Sequence, residues 1–154
     1  MSLQIQYQSN ELTLNQEPEY GFWVGSFNHG EIPIAVELDS EYPSPREQQL
    51  HAVGLIIERL LDQGLDIYYS KIWDFFQIYR ENSLETGNIW AEDFEGIKGI
   101  ADMENSIESY GVFSFDGVLA GLTVKTTLEC RWYSPGGVSI EFDESGKFLG
   151  IFDS

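Results

Sequence analysis

The sequence predicts an α+β domain in which an antiparallel β-sheet carries two consecutive helices on one face. Residues near both ends of the chain alternate between apolar and polar side chains, which is typical of half-buried strands. Between them, apolar residues recur every three or four positions over about 45–63 and 66–81, which predicts two helices. Helices inserted between an N-terminal and a C-terminal set of strands favour packing of both helices on one side of the sheet.

The N-terminal strands are predicted from three short segments. Residues 3–7 alternate, residues 20–27 are rich in aromatic side chains, and residues 32–38 are mostly apolar. The Asn and Gly of residues 28–31 tolerate the positive φ of a tight turn, so the last two segments should form a hairpin. Pro33 has no N–H to donate, which predicts that its strand begins at a sheet edge.

The helices follow from start signals and spacing. Ser44-Pro45-Arg46-Glu47 has the pattern of a capping box with proline at the first helical position, and Gly64 stands where a helix ends. In the second helix Trp73 and Ile78 fall off the main apolar stripe. This helix is therefore either deeply buried or partly exposed as a contact surface.

The C-terminal third should return to strands, after one short helix near residues 102–109. Turn residues at 116–117, 135–137 and 144–146 separate the segments, and such short connections join antiparallel neighbours. The predicted strands cover residues 112–115, 122–133, 138–142 and 147–152.

Composition limits the classes of function. The 154 residues form one predicted domain, 1–154, and carry 8 Lys and Arg against 26 Asp and Glu, a formal net charge of −18. Such a chain repels nucleic acid and anionic membrane surfaces and attracts basic proteins, unless its acidity serves only solubility. The first residues lack the pattern of a secretory signal, and the longest apolar stretch, 50–61, is too short to span a bilayer. We expect a cytoplasmic protein.

The sequence contains no catalytic motif, so we predict a protein that is not an enzyme and has no cofactor. His29 is expected to be a solvated turn residue, His51 lies off the apolar stripe of its helix, and Cys130 should be a small buried group. No phosphate-binding loop or dedicated metal site is predicted, although the carboxylates could take divalent cations opportunistically. Paired carboxylates of a hydrolase stay open, because such pairs meet only in three dimensions.

The densest charge lies at residues 85–108, which include two aromatic residues and one lysine. Aromatic residues inside an acidic rim are typical of a protein-binding surface, since charge steers the approach and the rings contribute affinity. The alternative is a solvated loop whose rings only pin it to the domain. The predicted partner-binding residues are Glu85, Trp90, Glu92, Asp93, Phe94, Glu95, Asp102, Glu104 and Glu108.

The order of motifs resembles a group of poorly characterised bacterial domains that recur as putative immunity proteins of polymorphic toxin systems. The resemblance covers about residues 45–152, and it is carried by residues 45–50, 60–61, 75–79, 107–115, 121–124, 130–132, 136–138 and 142–147. Related chains place an acidic residue and a histidine before the glycine after the tryptophan strand. This chain has Ser134-Pro135-Gly136-Gly137 there, so a function of that histidine does not carry over.

The resemblance implies an acidic immunity-type protein that binds and neutralises a cognate, basic bacterial toxin, such as a nuclease. Two alternatives stay open. One is a carboxylate-dependent hydrolase, and the other is a housekeeping or adaptor module whose acidity is merely solubilising.

Overall fold

The computed structural model describes residues 2–86, 94–133 and 137–153. In these residues eight strands form one sheet, in which their order matches their order along the chain. The strands are β1 Ser2–Tyr7, β2 Asn10–Gln16, β3 Trp23–His29, β4 Ile32–Ser40, β5 Ile107–Gly117, β6 Gly121–Cys130, β7 Val138–Phe142 and β8 Phe148–Asp153.

The central pair of strands corrects the prediction of an antiparallel sheet. β4 and β5 run parallel, with Val36 beside Val112 and Ser40 beside Asp116, whereas every other neighbouring pair is antiparallel. A connection that crosses over through helices returns the chain to the same end of the sheet, so the next strand runs in the same direction. Short turns determine direction only for the strands that they join directly.

The predicted pair of helices between the two strand sets is confirmed. These are α1, Glu47–Gln63, and α2, Tyr69–Thr86, joined by a 3₁₀ turn at Asp66–Tyr68. The capping box is wrong in detail, because α1 begins after Arg46 and no side chain caps its first turn. α2 also continues past residue 81. A second 3₁₀ turn, Ile100–Asp102, leads into the short α3, Met103–Ser106, where the helix predicted over 102–109 gives way to β5.

The N-terminal strands differ from the prediction at one point. β2 is an additional strand, and it forms a hairpin with β1. The predicted turn between β3 and β4 is confirmed, with Gly30 at φ 67°. β4 becomes an internal strand only from Val36 onward, where its pairing with β5 begins. Its first residues pair with β3 alone, so the strand begins at an edge as Pro33 predicted, and the missing N–H leaves no gap on the unpaired side.

One face of the sheet is buried against the helices, as predicted. α1 packs on β1, β5 and β6, and α2 packs on β8. Alternate residues of each strand point toward the helices; on β6 these are Val124, Thr126, Leu128 and Cys130, all buried. The other face carries mostly exposed and half-buried side chains, although Ser139 of β7 is fully buried there, and we call it the open face.

Candidate interaction surface

The second helix and the described part of the segment that follows it contain several of the predicted binding residues. Phe94 packs against Phe76 and Tyr79 in the middle of α2, with ring centroids 5.7 and 6.0 Å apart. Further along the chain, the negative charge of Glu104 acts on Tyr69 at the start of α2. Residues 94–104 therefore return along α2 toward its beginning.

The outer side of α2 exposes an isoleucine among carboxylates. Ile78 is 61% exposed, and Asp74, Glu81 and Glu85 are also exposed. These positions lie four residues before, three after and seven after Ile78, so all four side chains share one side of the helix. Of the two alternatives for α2, the structure shows partial exposure, while its role as a contact surface stays a prediction. We call Asp74, Ile78, Glu81 and Glu85 the α2 face.

Asp74 and Glu81 were not among the predicted residues. Their signal was present in the sequence, because both stand at helical spacing from the off-stripe Ile78. The predicted set was based instead on the density of charge along the chain, which is highest at residues 85–108.

The predicted residues of the returning segment have different roles. Glu95, Glu104 and Glu108 are exposed. Asp102 is half-buried, and its Oδ2 accepts the backbone N–H groups of Lys98 at 2.8 Å and Gly99 at 3.1 Å. Its carboxylate thus stabilises the local turn. Trp90, Glu92 and Asp93 lie outside the described residues.

Phe94 belongs to a cluster of aromatic rings under α2. Besides Phe94, the cluster contains Phe76, Tyr79, Trp132 and Tyr133, with the rings of Tyr79 and Tyr133 only 4.6 Å apart. Phe94 is half-buried in these contacts. This is the packing of a ring that pins its segment to the domain.

Most of the cationic side chains contact other groups of the same chain. Arg46 and Lys125 form ion pairs with Asp116 and Glu141, at 2.8 and 3.7 Å, and these are the two ion pairs of the described residues. Three other arginines contact uncharged groups: Arg59 the carbonyl of Gly146, Arg131 the carbonyl of Glu95, and Arg80 the ring of Phe76. Lys71 is exposed three residues before Asp74, so the three carboxylates of the α2 face have one cation on the same side of the helix and keep a net negative charge.

The prediction that His29 is a solvated turn residue is wrong. His29 is half-buried at the end of β3, and its Nδ1 lies 2.5 Å from the hydroxyl oxygen of Tyr110 on β5. Burial raises the pKa of Tyr110, and burial together with the charges of Glu104 and Asp66 raises the pKa of Tyr69 to about 12. Tyr69 and Tyr110 therefore keep their phenol protons to a higher pH than a solvated tyrosine does.

Cys130 is buried at the end of β6, as predicted, and His51 is exposed on α1. Burial raises the pKa of the Cys130 thiol to about 12, so the thiolate that a nucleophile needs is disfavoured. Within the described ranges, no three His, Cys, Asp or Glu side chains are grouped so as to hold a metal ion. Over the same residues, no helix is long and apolar enough to cross a bilayer.

Two grooves lie on the surface of the described residues, and one carboxylate lines each of them. The first lies at the β2–β3 connection and is lined by Asn15, Gln16, Glu17, Pro18 and Gly21. The second, of about 260 Å³, lies on the open face beside Glu37 and Phe113. Neither groove brings together two carboxylates, the arrangement that glycoside hydrolysis requires.

Comparison with models of protein families, with curated proteins and with solved structures gave no match. The resemblance to immunity proteins therefore stays a prediction from the sequence motifs.

Proposed function

We propose that this chain is an acidic immunity-type protein that binds and neutralises a basic bacterial toxin by protein–protein contact. The observation that carries the proposal is the α2 face, where Ile78 is 61% exposed among Asp74, Glu81 and Glu85. An apolar contact inside a charged rim is the arrangement that gives a protein interface both affinity and rapid, steered association.

The charge of the chain fits the active site of a nuclease. Such a site must attract phosphate, so it presents basic groups that an acidic surface can cover. The proposal includes a cytoplasmic site of action and needs no cofactor, metal or catalytic residue of this chain.

The test begins with the gene beside this one, which the proposal requires to encode a toxin. We expect the two proteins to form a complex at low salt, to dissociate more readily as salt rises, and to give protection from toxicity when they are coexpressed. Absence of both complex and protection would exclude the proposal.

Charge-reversal variants separate a specific surface from acidity in general. Glu81→Lys with Glu85→Lys should weaken the complex by about a hundredfold, through lost attraction and new repulsion. The matched control is Glu19→Lys with Glu31→Lys, which makes the same change in net charge at two exposed positions away from α2. Equal weakening by both pairs would show that only overall charge matters. A complex that neither pair weakens would show that the contact lies away from the α2 face. The absence of a toxin-like neighbour and of any complex would favour the housekeeping module with solubilising acidity.

A further inference from the structure

The open face of the sheet contains a transverse row of small side chains. Ser26 pairs with Ala35, Gly111 with Thr127, and Thr127 in turn with Ser139. The β4 and β5 parts of the row are in contact, since a Cβ at Gly111 would lie 3.2 Å from the Ala35 carbonyl oxygen. Ser139 of β7 is fully buried and closes the row at that end. Because neighbouring strands are about 4.8 Å apart, the accessible part of the row extends about 14 Å from β3 to β6. We call Ser26, Ala35, Gly111 and Thr127 the trough.

Larger side chains border the trough on both sides. On one side, the next row of side chains lies two positions along each strand. In order of pairing across the sheet, its members are Val24, Glu37, Phe113, Lys125 and Glu141. On the other side, Asn28 pairs with Pro33, and Ser109 with Glu129. The 260 Å³ groove is lined by Ala35, Gly111 and Thr127 of the trough and by Val24, Glu37 and Phe113 of the first border. The trough is therefore a depression in the surface and not only a pattern in the sequence.

The borders of the trough carry negative charge. Glu37, Glu129 and Glu141 are the carboxylates of the three rows, and Lys125 is the only cation in them. Lys125 is paired with Glu141 at 3.7 Å, which leaves Glu37 and Glu129 without a cationic partner among the described residues. The hydroxyl of Ser109 donates to Glu129 at 3.0 Å and keeps that carboxylate beside the trough.

Glu37 stands directly beside Phe113 in the register of β4 and β5. A carboxylate next to an aromatic ring suits a guanidinium, which can bond to the first and stack on the second. The small residues of the trough leave room for the aliphatic stem of the same side chain.

We propose that the trough binds a basic, arginine-containing segment of a partner protein. The trough lies on the sheet face opposite the helices, so this second surface goes beyond the proposed function of the α2 face. Either surface can be occupied without the other.

A fluorescein-labelled octa-arginine peptide is the probe, used with the full chain at about 10 mM salt, where exposed charges are weakly screened. In an amide NMR titration, we expect the shift changes to concentrate at Ala35, Gly111 and Thr127 and to reverse as salt is added. Shift changes that concentrate on α2, or that spread evenly over the acidic surface, would overturn the proposal.

Two variants test the trough by fluorescence anisotropy. Ala35→Tyr fills the trough at an exposed position of β4, and Glu37→Gln with Glu129→Gln removes the border charges; each should weaken binding about tenfold. The control, Glu81→Gln with Glu85→Gln, makes the same charge change on the α2 face and should weaken binding less than about twofold. Wild-type affinity in both trough variants would overturn the proposal. The double Gln variant keeps the test valid if Ala35→Tyr fails to fold.

The two proposals can fail separately. The octa-arginine experiment needs no toxin, so it can succeed or fail whatever the outcome of the coexpression test. A toxin complex that is sensitive to Glu81→Lys with Glu85→Lys, together with no octa-arginine signal in the trough, would leave the proposed function intact and remove only this inference.

Discussion

Arg46 and Asp116 join the residue before α1 to the end of β5 by two hydrogen bonds, both 2.8 Å long, from Nε and Nη2 to the two carboxylate oxygens. The Asp116 side chain is completely buried, whereas that of Arg46 is 35% exposed. The guanidinium also lies 4.2 Å over the ring of Tyr42, and the hydrogen bond to Asp116 raises the pKa of Arg46. This ion pair fixes the start of the helical connection next to Ser40 and Asp116, the last paired residues of β4 and β5.

Replacing Arg46 with Met should lower the free energy of unfolding by about 3 kcal/mol. The change leaves the buried Asp116 carboxylate without its cation, and removing one partner of a buried pair is costly. Urea unfolding at neutral pH measures the loss. The control is Glu141→Gln, which breaks the more exposed pair with Lys125 and should cost less than about 1 kcal/mol. Similar losses in both variants would show that the Arg46 pair has no special role.

The helices and the C-terminal hairpins could be predicted from the sequence because their signals are local. The apolar spacing of residues 45–81 and the glycine turns depend on neighbours a few residues away. The pairing of β4 with β5 could not be predicted, because about seventy residues of intervening chain place those strands side by side. The start of α1 was misplaced because the backbone of Arg46 is extended, with ψ 159°, and only its carbonyl joins the helix by accepting the N–H of Leu50.

The candidate surface was predictable only in part. The off-stripe position of Ile78 indicated a second apolar side of α2, and the structure exposes that residue. His29 was misjudged because its contact, Tyr110, is 81 residues distant and reaches it only through the sheet. The trough was not predicted, because it consists of one residue from each of four strands and has no signature within any single strand.

Gly54 stands where α1 crosses the edge strand β1. A Cβ at this position would lie 2.5 Å from the Gln6 carbonyl oxygen. Helix propensity alone would make Gly54→Ala stabilising by about 1 kcal/mol. We expect the steric conflict to prevail, because a backbone oxygen cannot rotate away, and the variant to lose about 1–3 kcal/mol of unfolding free energy.

Urea unfolding of Gly54→Ala is compared with that of Gly99→Ala, where nothing lies within 4 Å of the added methyl group. The Gly99 variant should change stability by less than about 0.5 kcal/mol. A Gly54→Ala protein more stable than the wild type would contradict the close packing of α1 on β1.

The indole of Trp132 depends on a buried hydroxyl. Its Nε1–H donates to Ser106 Oγ at 3.0 Å, and that hydroxyl donates to the Met103 carbonyl at 2.7 Å. Ser106→Ala leaves the buried N–H without an acceptor, so unfolding free energy measured in urea should fall by about 1–3 kcal/mol. Ser109→Ala, which removes an exposed hydroxyl, should cost less than about 0.5 kcal/mol. A cost of that small size at Ser106 would mean that Trp132 finds another acceptor.

Tyr69 should make the fold sensitive to alkaline pH. Burial, assisted by the charges of Glu104 and Asp66, raises its pKa from 10.0 to about 12. Between these values the unfolded chain releases the phenol proton while the folded chain retains it. The stabilising contribution is therefore complete below pH 10 and is lost as pH rises toward 12. The pKa of Tyr133 is also raised to about 12, mainly by burial, so this residue affects stability in the same direction.

Tyr69→Phe removes one of these titrations, so its unfolding free energy should fall less steeply above pH 10 than that of the wild type. Urea unfolding across this pH range measures the slope, and the absorbance of phenolate reports the ionisation directly. The matched control is Tyr20→Phe, at a ring that is 71% exposed and therefore solvated in both states; it should keep the wild-type slope. A Tyr69→Phe protein that loses stability as steeply as the wild type would show that burial and the charges of Glu104 and Asp66 do not hold the proton of Tyr69.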